Sequence, residues 1–100
     1  MAKNTKPAPG PDTAWTFLTN HAHVLFCLAA DPKATMRAVA TRVGITERAV
    51  QRIIAELAAA EYVTITRVGR RNEYEVQPGA PLHGPFADGR TVGHLIKLAS

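Results

Sequence analysis

The side chains best suited to recognition chemistry crowd into one part of this 100-residue chain. Seven of the eight arginines lie between positions 37 and 71, and Thr46, Glu47, Arg48, Gln51 and Arg52 share a single seven-residue stretch. A guanidinium stays charged at neutral pH and presents its N–H donors in a planar fork that matches phosphate and carboxylate oxygens. The clustering therefore suits a polyanionic partner better than the net charge of +4 and the sequence pI near 9.7 do alone.

Covalent chemistry is not indicated. The carboxylates are scattered and mostly adjacent to arginines, no phosphate-cradling glycine loop occurs, and neither a serine nor the single cysteine, Cys27, sits in a nucleophile motif. An enzyme is not expected, nor is a cofactor. His21, His23 and Cys27 invite a metal-binding reading, but His21 and His23 are two residues apart and point away from each other on a helix. His23 and Cys27, at i and i+4, are more simply read as a surface histidine and a packed cysteine.

The element that must position the polar cluster spans residues 36–53, MRAVATRVGITERAVQRI. Val39, Ala40 and Val43 recur at helical spacing behind Thr35, an N-cap residue type, and Gly44 supplies the stop. A second helix restarts at Thr46 and runs from about 47 to 60, with Glu47 in its first turn complementing the helix dipole. On its wheel Ala49, Val50, Ile53 and Leu57 share one face with Ile54 at the edge, while Glu47, Arg48, Gln51, Arg52 and Ala55 share the other. Ile45 fills the wedge between the helices, and Ala40 is small where they cross. The pattern reads as a helix-turn-helix; an αα-corner with ordinary solvated arginines is the plainer alternative.

The length bounds the chain to one domain with a modest core, to which an oligomer interface can add stability. One cysteine excludes an intrachain disulfide and a four-thiolate zinc site. No signal peptide or membrane span is indicated, so a cytoplasmic setting is expected.

Residues 1–12, rich in proline and poor in apolar bulk, read as a flexible arm. Residues 15–30, WTFLTNHAHVLFCLAA, read as an apolar lead-in and a helix from Thr19 or Asn20, ended by Asp31-Pro32. Val24, Leu25 and Leu28 define its buried face; Ala22, Phe26 and Ala29 form a second stripe that the C-terminal segment or a second protomer should cover. After the helix-turn-helix, VTITRV, GRRN and EYEVQ give a β-hairpin. Val63, Ile65, Tyr74 and Val76 are expected inside and Tyr62 outside, with Gly69 and Asn72 making the turn and Arg70 and Arg71 at the tip. Residues 78–89 read as an extended connector pinned by Leu82 and Phe86. Thr91 then caps a last short helix carrying Val92, Leu95, Ile96 and Ala99, which must dock on the core or cross to a partner.

The order helix, helix, Gly44 turn, helix and GRRN-tipped hairpin resembles winged helix-turn-helix regulators. ATRVGITERAVQRIIAELAAAEYVTITRVGRRNEYEV is similar to the MarR and ArsR types of bacterial family. The resemblance implies an α+β winged helix-turn-helix: a three-helix core, a two-stranded wing hairpin and a short C-terminal helix. It divides the chain into the arm 1–12, a DNA-binding domain 13–77, and a connector with docking or dimerisation helix 78–100. It implies a sequence-specific transcriptional regulator of double-stranded DNA, a repressor acting as a homodimer. The 47–60 helix lies in the major groove, and the 69–72 wing touches the backbone or minor groove. Carried over, Thr46, Glu47, Arg48, Gln51 and Arg52 face the groove, Arg70 and Arg71 form the wing tip, and Arg37 and Arg42 add phosphate contacts. Arginine suits guanine, glutamine adenine, and glutamate cytosine. Long dimerisation helices of the MarR type and paired metal ligands of the ArsR type are not apparent.

Two other readings stay open. A winged helix can serve as a protein-interaction module, which gains if Glu47, Glu56, Glu73 and Glu75 interrupt the basic surface. A small-molecule effector can bind near the first helix, with Phe26, Trp15 and His21 as candidate pocket residues.

Overall fold

Thr35 and Thr46 begin the two central helices by one device. Each holds an extended backbone, and its hydroxyl accepts the N–H three residues on: Ala38 N–H at 3.1 Å and Ala49 N–H at 3.0 Å. Such caps satisfy a donor that the helix itself leaves unpaired. In the computed structural model, which describes residues 15–99, these helices are α2 (Met36–Val43) and α3 (Glu47–Ala59). The expectation for the 1–12 arm lies outside the described residues. α1 (Asn20–Ala30) precedes them, and β1 (Val63–Val68), β2 (Arg71–Val76) and α4 (Val92–Ile96) follow.

Gly44 ends α2 at φ 85°, its N–H and that of Ile45 both donating to Ala40 O. The left-handed backbone turns the chain sharply enough for α3 to begin after only Ile45 and the cap Thr46. The same six-residue closure ends α3 without a glycine: Glu61 takes φ 68°, its N–H reaches Ala58 O, and Tyr62 N–H reaches Leu57 O at 2.9 Å. That closure folds Tyr62 back onto the helix, where an apolar contact commonly accompanies the motif. Tyr62 is therefore buried, with its hydroxyl donating to Pro81 O at 2.7 Å, and not on the outer face expected of it.

Val24, Leu25 and Leu28 of α1, Val39 and Ala40 of α2, and Val50, Ile53, Ile54 and Leu57 of α3 form one core with Tyr62, Val63, Tyr74 and Val92. Each fully buried aliphatic side chain contributes roughly 1.5–3 kcal/mol. β1 and β2 pair antiparallel with Val63 opposite Val76, Ile65 opposite Tyr74 and Val68 opposite Arg71. The turn is therefore Gly69-Arg70, with Gly69 at φ 62°; Asn72 is a strand residue opposite Arg67 and not part of it. A glycine at the first central position suits the two-residue turns that follow strand twist.

Ile65 departs from expectation, being 40% exposed while Tyr74 across from it is 5% exposed. α1 and the Pro32 loop cover β2, where Tyr74 N–H donates to Pro32 O, whereas beyond Val63 β1 runs out past the helices into solvent.

Residues 78–91 fold back where an extended connector was expected. Pro81 pairs with Thr91, Leu82 N–H donates to Arg90 O, and Val92 N–H donates to Ala80 O. This loop seats α4 on the chain's own core, with Val92 fully buried and Leu95 and Ile96 packed beside it. Leu82 pins the loop as expected, but Phe86 is 94% exposed.

Candidate nucleic-acid interface

The outer face of α3 collects the side chains with the most to offer a ligand. Arg48, Gln51, Arg52, Ala55 and Ala59 are all exposed, opposite the buried Val50, Ile53, Ile54 and Leu57. At 100° per residue Arg48 and Arg52 stand about 40° apart, so two guanidinium forks rise from one stripe. Among the described residues Arg48 and Gln51 have no side-chain partner, which leaves their donors and acceptor available.

Two carboxylates border this stripe, and each ties α3 to a neighbouring helix. Glu47 lies 3.6 Å from Arg37 Nε of α2, an exposed pair that contributes little to stability. Glu56 accepts from His21 Nε2 of α1 at 2.6 Å and lies 3.7 Å from Arg52. The His21 hydrogen bond, with Arg52 nearby, holds the Glu56 carboxyl below its ordinary pKa. Arg52 is thus steered toward the His21 side of the stripe while Arg48 is unconstrained.

Thr46 stands at the start of this face with its hydroxyl engaged in the cap. Arg37 and Arg42 do not stand together: five residues of helix put them about 140° apart around α2. Arg42 lines the groove between α1 and α2 with His23, Phe26, Cys27 and Ala99. Of the two, only Arg37 adjoins the N-terminus of α3.

Residues 19–64 match the family model for winged helix-turn-helix DNA-binding domains. The segment belongs to that family. Its match runs from the residue before α1 into β1, and a comparison with curated proteins finds no match for the chain. Double-stranded DNA is the partner class of such a domain. The second wing strand and α4 continue the fold beyond the matched segment.

The winged helix-turn-helix carries three arginines on its hairpin. Arg70 occupies the turn with no side-chain partner among the described residues. Arg71 begins β2 and lies 3.5 Å from Glu73. Arg67, which sequence reasoning passed over, is exposed one pair from the turn and donates from Nε to Gly69 O at 3.1 Å. Its signal was available, since a strand residue two before a hairpin glycine must stand beside the tip.

The candidate effector residues do not converge. His21 lines a groove between α1, α3 and α4, Phe26 lines the separate α1–α2 groove, and Trp15 packs edge-on against Phe17 at 4.9 Å. Among the described residues no group of three His, Cys, Asp or Glu side chains is arranged to hold a metal ion, and no helix is long and apolar enough to cross a membrane.

Proposed function

We propose that this domain is a sequence-specific transcriptional repressor that binds double-stranded DNA as a homodimer and acts by occluding polymerase. α3 enters the major groove, where Arg48 reads guanine, Gln51 reads adenine, and Arg52 reads a base on the His21 side. Thr46 and Glu47 approach the groove edge, with Glu47 orienting Arg37 toward phosphate. Arg70, Arg71 and Arg67 place the wing on the backbone or minor groove. Arg42 contributes least, because it faces the α1–α2 groove. Residues 13–77 form the DNA-binding unit and residues 78–100 complete it.

The observation that carries this reading is the Arg48–Gln51 pair, without side-chain partners among the described residues, on the solvent face of a helix that follows a tight Gly44 turn. The MarR or ArsR kinship rests on the sequence resemblance alone. A protein-interaction module draws support from Glu47, Glu56 and Glu73, each of which sits beside an arginine and dilutes the basic surface.

Selection of bound sequences from a random duplex pool tests the proposal, followed by titration of the winner and a scrambled duplex at several salt concentrations. The expected result is an inverted repeat with half-site centres roughly 34 Å apart, bound at least about a thousandfold tighter than the scramble. No enrichment, with only weak salt-sensitive binding, would favour the interaction module.

A further inference from the structure

We propose that the groove between α1, the C-terminal end of α3 and α4 is the contact between two copies of this chain, and that Phe86 of each copy seats in the groove of the other. The inference rests on the homodimer reading above and gives it an interface.

The groove encloses about 430 Å³, and its lining includes Leu25, Leu57, Tyr62, Leu82 and Leu95. His21 and Glu56 supply a polar rim, as protein contacts usually have around an apolar centre. Phe86 does not occupy it within its own chain, since 94% of its surface is exposed. Nor does it dangle: its loop is closed at the base by the Pro81–Thr91 pairing and Leu82 N–H to Arg90 O at 3.0 Å. Ala87 N–H to Gly84 O and Arg90 N–H to Ala87 O, at 3.3 and 2.7 Å, brace the tip around it. An ordered loop thus holds a phenyl ring in water.

His83, three residues before Phe86, lines the groove, as does Thr19, two residues after Phe17. Phe17 is 91% exposed and Trp15 62% exposed. At 150–250 Å² per aromatic side chain, the three leave on the order of 500 Å² of apolar surface in water. Gathered into one contact, that area is most of the ~800 Å² per partner of a standard interface. A two-fold contact requires one surface to be complementary to itself, and a knob beside a hole meets that requirement. Glu56, on the groove rim, lies about 80° around α3 from Arg48 and about 140° from Gln51, so the contact leaves those two side chains open.

Sedimentation equilibrium of the full chain decides the matter. Wild type is expected to be a dimer, and Phe86→Ser or Ala60→Trp, which fills the groove mouth from an exposed position, to raise the dissociation constant at least about thirtyfold, the mark of an interface hot spot. Leu98→Ser, equally surface-borne at 71% exposure, is expected to leave it unchanged, with circular dichroism melts confirming that all variants fold. A monomeric wild type overturns the proposal, as does a dimer indifferent to Phe86→Ser or equally weakened by Leu98→Ser. A monomer whose groove binds the dye 1-anilinonaphthalene-8-sulfonate competitively with Ala60→Trp filling also overturns it and makes the groove a ligand cleft. A dimer broken by Phe86→Ser that selects no DNA upholds the interface while sinking the DNA reading; a monomer that selects a single half-site does the reverse.

Discussion

Glu56 Oε1 lies 2.6 Å from His21 Nε2, which joins the first helix to the border of the exposed Arg48–Gln51–Arg52 stripe. The other carboxylate oxygen faces Arg52 at 3.7 Å, so one side chain both fastens α1 to α3 and aims an arginine. Residues 21 and 56 belong to separate sequence patterns, and only the packing of α1 across α3 brings them together.

Replacing Glu56 by Gln should therefore destabilise the protein in a pH-dependent way. The folded pKa is lowered, chiefly by the His21 hydrogen bond and then by Arg52. The stability this provides is present above the unfolded value, about 4.3, and is lost as pH falls through the lower folded value. Thermal melts of wild type and Glu56→Gln should differ at pH 7 and converge as the pH drops below both values. A constant difference across the series would mean that the lost contact is not ionic.

Arg48 and Arg70 should separate base reading from backbone contact. Arg48→Ala is expected to cost about 1–3 kcal/mol on the preferred site and to relax preference at one base pair. Arg70→Ala should weaken all duplexes alike and lower the salt slope by about 1. Binding isotherms on the selected and scrambled duplexes at four salt concentrations measure both. Uniform weakening from both changes would end the assigned division of labour.

The helix-turn-helix was legible because its signals are local. Thr35, Gly44 and Thr46 each act within four residues, and the two faces of α3 follow from a 3.6-residue period. Tyr62 was not legible, because Glu61 adopts the left-handed conformation with no glycine to announce it. The turn behind Glu61 moves Tyr62 off the strand alternation. Ile65 obeyed that alternation yet stayed exposed, since how far the helices cover a strand depends on tertiary packing. Within the candidate site, the stripe of Arg48, Gln51 and Arg52 was readable from spacing. The separation of Arg37 from Arg42 follows from the same period applied to α2. The pairing of Glu56 with His21 and the fold-back of the 78–91 loop depend on contacts between distant segments and carry no periodic signature.

Tyr62→Phe should report how firmly that loop is held. The phenol donates to Pro81 O at 2.7 Å from a part-buried position, and its ring meets His83 of the same loop edge-on at 5.2 Å. Loss of the hydroxyl leaves a carbonyl short of a partner and should cost about 0.5–1.5 kcal/mol in urea unfolding. Amide exchange at Leu82 and Val92, which bond across the loop base, should accelerate more than at Val50 in α3. Equal acceleration at all three would mean that the loop and core open as one unit.

The two helix ends built on left-handed residues should respond in opposite directions. Gly44 and Glu61 have φ of 85° and 68°, and in each case the N–H of the next residue reaches the carbonyl five residues back. A Cβ at Gly44 would meet no atom within 4 Å, so Gly44→Ala probes conformation without a clash. The left-handed region costs a residue with a Cβ roughly 1–2 kcal/mol, and Gly44→Ala should lose about that much. Gly44→Asn should lose less, because asparagine tolerates this conformation better. Glu61 already carries that cost in the native state, so Glu61→Gly should raise stability despite the greater freedom glycine has when unfolded. Glu61 is exposed and has no side-chain partner among the described residues, so the substitution removes no contact that would mask the gain. Urea midpoints of the three variants are the measurement. A Glu61→Gly protein less stable than wild type would show that the turn before the wing is held by something other than backbone conformation.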